Sequence, residues 1–353
     1  MSTPIVTVEN LSKTYRTIER GESLGEVVRS FFAPRVLEVQ ALRGIGFELA
    51  EGELLGFLVP NGAGKSTTLK ILTGVLHPTA GRAEVMGFTP WRERRRYVAH
   101  IGAVFGQKSQ LIWDIPPIDS FHLNKEIYGL SKRDFDATLG ELSDLLGVGE
   151  VMRRPTRQLS LGERMKCEFI MAMLHRPRIV FLDEPTIGLD VVAKDRIRAF
   201  ILEMNKKGVT FILTTHDLGD VEHLAKRVIV INHGEIVFDD SMAGLKRHLG
   251  ARRMVHLATE APLPELDDTA GVTVTERVSP YEVLLELDVS ALELNRFIKA
   301  LQETCVIRDL SIQEPSIESI IKEIYRKGES AELTRDIIIH RIKGHKENQE
   351  YQE

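Results

Sequence analysis

The chain has 353 residues, enough for two domains with cores of their own, and its 27% charged and 43% hydrophobic residues are ordinary for a globular protein. A net charge of -5 and the lack of a broad basic field argue against a dedicated nucleic-acid binder. The two cysteines, Cys167 and Cys305, lie far apart without histidines at ligand spacing, which predicts a reducing compartment and no metal site.

No stretch of the sequence predicts membrane insertion. The opening residues MSTPIVTVENLSK lack the apolar core of a signal peptide, and no run approaches the ~18–20 apolar residues that span a bilayer. We therefore expect any membrane role to act through a partner protein. The cluster WRERRR at residues 91–96 is interpreted as a solvated helical face.

The chain opens with a predicted strand over residues 5–15 that ends near Tyr15, an aromatic residue that can stack on a purine ring. Residues 17–36 predict an insertion with a short amphipathic helix. Residues 41–53 are predicted to form two strands around Arg43 and Gly44, leading directly into the next stretch.

The stretch at residues 53–74 is the most informative part of the sequence. An apolar run at residues 54–59 predicts a buried parallel strand, and residues 65–72 predict a helix. The turn PNGAG between them lets successive backbone N–H groups face phosphate oxygens at a helix N-terminus. The Lys65 charge suits the outer phosphates, and the Ser66 hydroxyl suits Mg²⁺. The predicted nucleotide-binding residues here are Asn61, Gly62, Ala63, Gly64, Lys65, Ser66 and Thr67.

One position departs from the phosphate-loop pattern GxxxxGK[ST], which has glycine where this chain has Val59. A β-branched residue accepts an extended backbone but not a positive φ. If the strand continues through Val59, the loop functions; if the backbone must turn there, nucleotide binding is weakened. The intact remainder of the pattern favours a functional loop.

After the loop helix, residues 82–86 and 100–105 predict strands, and the second strand ends beside Gln107. A glutamine at the carboxyl end of a parallel strand can reach a ligand in the crevice there. Residues 108–158 lack strand alternation, and the apolar spacing from residue 131 to residue 146 is helical. We therefore predict an inserted helical subdomain over about residues 108–176.

The segment LSLGE at residues 159–163 precedes a predicted helix that runs to Leu174. Ser160 and Glu163 have the spacing of a capping box. The same helix N-terminus, with the Ser160 hydroxyl and with Gly162 leaving room for a phosphate, is a candidate anion site. Both interpretations hold if the nucleotide of a partner faces that end.

A predicted buried strand at residues 179–182 delivers two acids at its carboxyl end. Asp183 is placed to bind Mg²⁺, and Glu184 is placed to polarise an attacking water as general base. Two acids at the end of an apolar strand, in a chain with a phosphate loop, are interpreted as functional residues rather than as structural ones. The following turn brings Asp190 to a predicted interface.

A strand predicted at residues 209–214 ends beside His216, which either contacts a γ-phosphate or caps the next helix. A hairpin is predicted at residues 228–238. Residues 250–326 predict a small α+β domain without a catalytic constellation, interpreted as an accessory dimerisation or regulatory module. Residues 327–353 are highly charged and predict a loose helix or a disordered tail.

With these elements in order, residues 1–240 resemble the ATP-binding subunit of an ABC transporter, an α/β P-loop NTPase fold with an inserted helical subdomain. The motifs that carry the resemblance are VPNGAGKST for Walker A, Gln107 for the Q-loop, LSLGE for the signature, FLDEP for Walker B, GLD for the D-loop and His216 for the switch histidine. Tyr15 matches the adenine-stacking aromatic. Leu161 and Glu163 stand where the signature has Gly and Gln.

The resemblance implies that the chain hydrolyses ATP with Mg²⁺ as a homodimer, and that it acts on a separate transmembrane permease from the cytoplasmic face of the cell membrane. It implies the catalytic residues Glu184, His216 and Gln107 and the metal ligands Ser66, Gln107 and Asp183. Across the dimer it implies nucleotide-binding residues Ser160, Gly162 and Asp190, with Asp190 at the interface. Trp113 and Asp114, just past the Q-loop, are expected to contact the permease.

Within the family, the chain resembles bacterial exporter ATPases for drugs, lipids or polysaccharides. The departures at Val59, Leu161 and Glu163 also fit a degenerate ATP-binding switch with little hydrolysis. Leu161 and Glu163 bring bulk and a repulsive carboxylate to the partner site, and Val59 lies in the chain's own phosphate loop. A soluble ABC ATPase acting on ribosomes or DNA would show two cassettes or long coiled coils. An importer ATPase with a regulatory C-terminal domain is the third alternative.

Overall fold

The structure, a computed structural model, describes residues 3–18, 36–58, 65–106, 108–215, 217–248, 252–263 and 271–313. The chain divides into two compact units, residues 1–240 and 241–353. The helix predicted within residues 17–36 lies outside the described residues, as do the predicted helix at residues 316–326 and the predicted tail.

The first unit contains both strands and helices. In order its elements are β1 (Val6–Ile18), β2 (Val36–Leu49), β3 (Leu54–Leu58), α1 (Lys65–Leu72), β4 (Ala80–Val85), α2 (Arg94–Tyr97), β5 (Ile101–Phe105), α3 (Pro117–Ile127), α4 (Lys132–Leu146), α5 (Leu161–Met173), β6 (Ile179–Asp183), α6 (Val191–Lys206), β7 (Thr210–Thr215), α7 (Leu218–Leu224), β8 (Arg227–Asn232) and β9 (Glu235–Ser241).

The central sheet of this unit has the strand order β5-β6-β7-β3-β8-β9 among the described residues. β5, β6, β7, β3 and β8 pair in parallel. All five residues of β3 and all six of β7 are buried, which explains why neither strand shows a polar and apolar alternation. Parallel pairing brings the carboxyl ends of β3, β6 and β7 to one edge of the sheet.

A second, antiparallel sheet has the order β2-β1-β4 within the described part of the chain. The prediction of two strands around Arg43 and Gly44 is wrong, because both residues lie inside β2. Gly44 has a φ of +77°, and the pairing with β1 shifts register between Leu11 and Ser12. Glycine accepts this conformation, so the strand continues through an irregularity that the sequence presents as a turn.

The chain between β5 and β6 forms helices α3, α4 and α5. α4 begins after Ser131, whose hydroxyl accepts a hydrogen bond from the Asp134 N–H at 3.1 Å, and ends at Gly147 with a φ of +65°. Its apolar face is buried through Phe135, Leu139, Leu142 and Leu146. None of the described helices is both long and apolar enough to cross a bilayer.

The second unit contains α8 (Met242–His248), β10 (Arg252–Thr259), β11 (Val272–Ser279), β12 (Glu282–Asp288), α9 (Leu294–Thr304) and β13 (Ile307–Gln313). Its described strands pair antiparallel in the order β11-β12-β10-β13. One face of the sheet packs with α9 into a core formed by Val255, Leu257, Val283, Leu285, Leu287, Phe297 and Leu301.

The helix predicted at residues 290–302 begins later, at Leu294, because the preceding residues form a turn. In that turn the Asp288 carboxylate accepts hydrogen bonds from the Ser290 N–H and hydroxyl. α9 ends before Cys305, whose Sγ lies 3.3 Å from the Leu301 carbonyl oxygen. Both cysteines are free; Cys167 is buried in α5 and Cys305 is partly exposed.

Candidate functional site

The candidate site lies where β3, β6 and β7 end side by side. Their register aligns Leu58 with Thr215 and Asp183 with Thr214, and α1 begins at Lys65, close after β3. The Lys65 side chain lies outside the described residues, as do Val59, Asn61, Gly62, Ala63, Gly64, Gln107 and His216. The described part of the site therefore consists of the residues around this loop and of the helices that face it.

Three oxygen-bearing side chains meet at the end of β6. The Ser66 hydroxyl, in the first turn of α1, donates to Asp183 Oδ2 at 3.5 Å. The Thr214 hydroxyl donates to Asp183 Oδ1 at 2.6 Å. This pair of contacts fixes the Asp183 carboxylate between the phosphate-loop helix and the adjacent strand.

These oxygens suit a magnesium ion. Mg²⁺ takes oxygen ligands in an octahedron, usually one or two from the protein, with waters and substrate phosphates completing the set. Ser66 and Asp183 supply a hydroxyl and a carboxylate within one ligand sphere of each other. No cluster of three or more His, Cys, Asp or Glu side chains occurs among the described residues.

Glu184 follows Asp183 in a left-handed conformation, with a φ of +51°. Such a backbone is uncommon for a residue with a side chain and costs on the order of 1 kcal/mol or more. Its N–H donates to the Thr214 carbonyl at 2.9 Å, and the Gly106 N–H donates to the Asp183 carbonyl at 2.8 Å. The end of β5 and the end of β7 together hold this turn in place.

Gly106 touches the same turn so closely that only glycine fits. A Cβ built on Gly106 would lie 2.1 Å from the Glu184 carbonyl oxygen and 3.0 Å from Ile187 Cγ2. Gly106 immediately precedes the predicted Q-loop residue Gln107. The backbone that carries Gln107 is therefore in direct contact with the backbone that carries Glu184.

Tyr15, the predicted adenine-stacking residue, is 37% exposed near the end of β1. Its hydroxyl lies 3.4 Å from Thr67 Oγ1, in the first turn of α1. Lys13 Nζ lies 5.3 Å from the centre of the Tyr15 ring, a cation–π distance. The structure thus brings Tyr15 and Thr67 together at the phosphate-loop helix, with a cation beside the ring.

The LSLGE segment forms the N-terminus of α5 as a complete capping box. The Ser160 hydroxyl accepts from the Glu163 N–H at 3.2 Å, and the Glu163 carboxylate accepts from the Ser160 N–H at 2.8 Å. Arg154 Nη2 lies 2.6 Å from the other Glu163 oxygen. The backbone hydrogen bond from Ser160, together with the Arg154 ion pair, lowers the pKa of Glu163 despite partial burial. The carboxylate expected to repel a partner nucleotide is engaged within its own subunit.

Gly162 and Leu161 face α6 and the turn before it. A Cβ on Gly162 would lie 2.9 Å from the Ala193 Cβ, so the missing side chain lets α5 approach α6. Leu161 Cδ2 lies 3.2 Å from the position of a Cβ on Gly188, so its bulk packs within the same chain. Asp190, expected at an interface, caps α6 by accepting from the Ala193 N–H at 2.8 Å. Ser160 is exposed at this helix N-terminus, whereas Gly162 is buried against α6.

The segment after His216 is tied to α6 by two ion pairs one helical turn apart. Lys194 Nζ lies 2.7 Å from Asp217 Oδ2, and Arg198 Nη2 lies 2.6 Å from the fully buried Asp220. The Thr186 hydroxyl, two residues past Glu184, also hydrogen-bonds Asp220. The turn after Glu184 and the start of α7 are therefore joined through Asp220.

Several of these residues were missed in the sequence. The sequence pattern identifies Thr214 only as the end of a predicted strand. Because that strand is fully buried, the Thr214 hydroxyl needs a polar partner nearby. Arg154 and Asp220 find partners that sequence spacing alone does not identify. Glu168, a carboxylate inside the apolar run MKCEFIMAM, carried the same kind of signal.

A protein family described as ABC transporter matches residues 42–187. The daunorubicin resistance ATP-binding protein DrrA3 of Streptomyces coeruleorubidus is 30% identical, over 80% of this chain and 90% of the relative. The linearmycin resistance ATP-binding protein LnrL of Bacillus subtilis is 27% identical, over 79% of this chain and 91% of the relative.

Solved structures share the fold. An ATP-binding subunit of an ABC transporter aligns over 70% of this chain and 93% of its own, with a TM-score of 0.58 at 22% identity. The ATP-binding cassette MJ0796, in a dimeric post-hydrolysis state with ADP and Pi, aligns over 67% of this chain and 98% of its own, with a TM-score of 0.55 at 23% identity. The architecture around Asp183 and Ser66 is therefore that of a known nucleotide-binding fold.

Proposed function

The chain belongs to the ATP-binding subunits of ABC transporters, which are ATPases, and from this premise we propose that it powers export through a separate membrane permease by ATP-driven closure and reopening of a homodimer. The observation that carries the proposal is the convergence of Ser66, Asp183 and Thr214 beside Glu184 at the end of β6. It supplies an oxygen site for a phosphate-bound cation directly next to a candidate general base.

In this proposal each residue around the site has a separate role in ATP hydrolysis. The loop at residues 59–64 and Lys65 hold the phosphates, while Tyr15 stacks on the base. Ser66 and Asp183 would hold Mg²⁺, which would supply positive charge against the negative charge of the phosphates. Glu184 accepts a proton from the attacking water. Gln107 and His216 approach the γ-phosphate from the two neighbouring strands.

Across the dimer, Ser160 and the first N–H groups of α5 would contact the nucleotide held by the partner. A helix N-terminus binds anions through its free N–H groups and its dipole. Binding of ATP at both sites would then favour the closed dimer, and hydrolysis would remove that preference. Asp190, at the N-terminus of α6 beside Gly162, lies next to this surface.

The surface proposed for the permease lies just past Gln107. Trp113 is 53% exposed, and its ring lies 5.8 Å from the Arg164 guanidinium. Asp114 pairs with Arg157 at 3.3 Å. An exposed tryptophan is a typical anchor for a protein partner. The chain would thereby act at the inner face of the cell membrane.

The first test is Mg²⁺-dependent ATP turnover by the purified chain beside Glu184→Gln. Loss of the general base should reduce kcat by roughly 10²–10⁴-fold while ATP binding is retained, because the phosphate-binding groups are untouched. Stable ATP-dependent dimers of the variant, observed by size-exclusion chromatography, would support closure before hydrolysis. Equal turnover by both proteins would contradict the role of Glu184.

A second candidate function, the ATP-binding switch with little hydrolysis, is favoured by Val59 and Leu161. The ion pair between Arg154 and Glu163 counts against it, because it neutralises the carboxylate expected to oppose closure. Val59→Gly separates the two candidates. Turnover that changes little in Val59→Gly indicates a working motor, whereas turnover that appears only in that variant indicates a loop held in an inactive state.

We infer the class of cargo from relatives named for resistance to daunorubicin and to linearmycin. A drug exported from the cell is the proposed cargo of the complete transporter, and lipids or polysaccharides are the alternatives. The test is drug-stimulated ATP turnover after reconstitution with the permease. Trp113→Ala should abolish that stimulation while the isolated chain hydrolyses ATP normally.

A further inference from the structure

Glu168 is a carboxylate with only 3% of its surface exposed, on the apolar side of α5. Its two oxygens accept hydrogen bonds from the Gln110 N–H at 3.0 and 3.1 Å, and from the Leu111 N–H at 3.4 Å. The Ser109 hydroxyl donates to the same carboxylate. One buried side chain therefore satisfies the donors of three consecutive residues.

A buried carboxylate is costly unless its oxygens are hydrogen-bonded, so a residue that only filled this position on α5 would be apolar. Residues 109–111 belong to no described helix or strand, so the Gln110 and Leu111 N–H groups take side-chain acceptors instead. Burial raises the pKa of Glu168, and the hydrogen bonds from Ser109, Gln110 and Leu111 oppose that rise. The carboxylate and the segment are thus matched to each other.

The two parts that Glu168 joins are both part of the proposed mechanism. Residues 109–111 lie between Gln107 and the exposed Trp113. Leu161 begins α5, at the end that is proposed to face the partner nucleotide, and Glu168 lies two helical turns further along the helix. Arg164, one turn before Glu168 on α5, reaches Trp113 from the same helix. The helix therefore contacts the segment at two successive turns.

We propose that Glu168 is a positioning residue that fixes residues 109–113 to α5, so that the permease contact and the nucleotide-facing end of α5 move as one body. The proposal rests on the proposed function for its consequence, but the attachment itself is a property of the isolated chain. A purely space-filling role would need neither the carboxylate nor its hydrogen bonds.

The experiment compares Glu168→Leu and Glu168→Gln with Cys167→Ala, which alters packing at the neighbouring buried position without touching the segment. Amide hydrogen exchange is followed by mass spectrometry in the full chain without nucleotide. We expect exchange of the Gln110 and Leu111 amides to rise about tenfold in Glu168→Leu and less in Glu168→Gln, which retains an acceptor oxygen. In the Glu168 variants, the exchange of amides in β6 should stay at the wild-type level. In Cys167→Ala, the exchange of the Gln110 and Leu111 amides should also stay at the wild-type level.

Ser109→Ala provides a second variant if Glu168→Leu folds poorly, since Ser109 is exposed and its loss removes only one donor. It should raise Leu111 exchange by a few-fold, because the Ser109 hydroxyl also accepts from the Leu111 N–H at 3.2 Å. Unchanged exchange at residues 109–111 in both Glu168→Leu and Ser109→Ala would overturn the proposal.

Turnover then connects the attachment to function. In Glu168→Leu the kcat for ATP should fall about tenfold with KM within twofold of wild type, and Glu168→Gln should restore most of the loss. A rise in KM with unchanged kcat, or an equal loss in Cys167→Ala, would mean that Glu168 only supports packing. If the wild-type chain shows no turnover, the proposed function fails, while the exchange data still decide the attachment.

Discussion

Among single residues, Gly106 lies against the turn that carries Glu184, where a Cβ would meet the Glu184 carbonyl oxygen. Gly106→Ala would place a methyl group 2.1 Å from that oxygen, so the turn that carries Glu184 must shift. We expect kcat for ATP to fall by at least tenfold while nucleotide binding, followed by equilibrium titration, persists. Strain already present at the positive φ of Glu184 leaves little room for adjustment.

A matched control for that substitution lies in the helical part of the same unit. A Cβ on Gly140, inside α4, would meet nothing within 4 Å. Gly140→Ala should keep wild-type turnover and increase the free energy of unfolding by up to about 1 kcal/mol, because alanine favours helix. Full turnover in Gly106→Ala would show that the close approach to Glu184 has no catalytic consequence.

His175 gives the chain a pH-dependent contribution to stability. Its Nε2 lies 2.8 Å from the Ile101 carbonyl oxygen, whereas its Nδ1 is buried without a partner. Burial lowers the pKa of His175 below the usual 6.5, although the bond to Ile101 opposes the shift. The unfolded chain therefore binds this proton more readily than the folded chain, and the contribution present above about pH 6.5 is lost as pH falls toward the folded pKa.

His175→Phe should remove this pH dependence while keeping a ring stacked on Tyr128, whose centre lies 4.0 Å from that of His175. Urea unfolding between pH 7.5 and pH 5 measures the effect. We expect wild type to lose more stability on acidification than the variant. Parallel stability curves for the two proteins would exclude His175 as the titrating group.

At the scale of elements, two helices begin with a serine cap, but only one of these N-termini is proposed to contact a nucleotide. Ser160 caps α5 and Ser131 caps α4, each by accepting from the N–H three residues on. Alanine at either position should lower the free energy of unfolding by about 1 kcal/mol. Only Ser160→Ala should also weaken ATP-dependent dimerisation and turnover, because only that end is proposed to meet a nucleotide. An equal loss of turnover in Ser131→Ala would reduce the effect to stability.

The strands that carry the site could be predicted because buried parallel strands leave apolar runs, and polar residues then stand out at their ends. Asp183 and Glu184 were recognised in this way. β2 was not, because a glycine with positive φ fits both a turn and an irregular strand, and only pairing with β1 decides between them. The capping box at Ser160 could be predicted because its two partners lie three residues apart.

Contacts between distant residues could not be predicted. Ser109 and Glu168 are separated by 59 positions, and Ser66 and Asp183 by 117, so no local pattern joins them. The sequence showed which side chains were out of place, such as a glutamate among apolar residues, but not what they would meet. The pairing of Glu163 with Arg154 places a cation beside the carboxylate that is predicted to repel a partner nucleotide.

At the scale of the whole molecule, each unit has its own core. Leu285 is 1% exposed in β12, and Leu285→Ala should cost about 2–5 kcal/mol of stability in the second unit. Leu284, its half-buried neighbour on the opposite face, is the control and should cost less when changed to alanine. Thermal unfolding followed by calorimetry should then show an earlier transition for the second unit, with ATP turnover retained beyond it. A single, unchanged transition would indicate that the units unfold together.

The two free thiols differ in exposure, so that one of them can be labelled selectively. Cys167 is buried in α5 with its pKa raised to about 12, so it resists alkylation while the protein is folded. Cys305, partly exposed at the end of α9, is the accessible thiol and lies in the other unit. A maleimide fluorophore should therefore mark the second unit alone, without any engineered substitution. Changes in its emission on adding ATP would report whether that unit senses the state of the first.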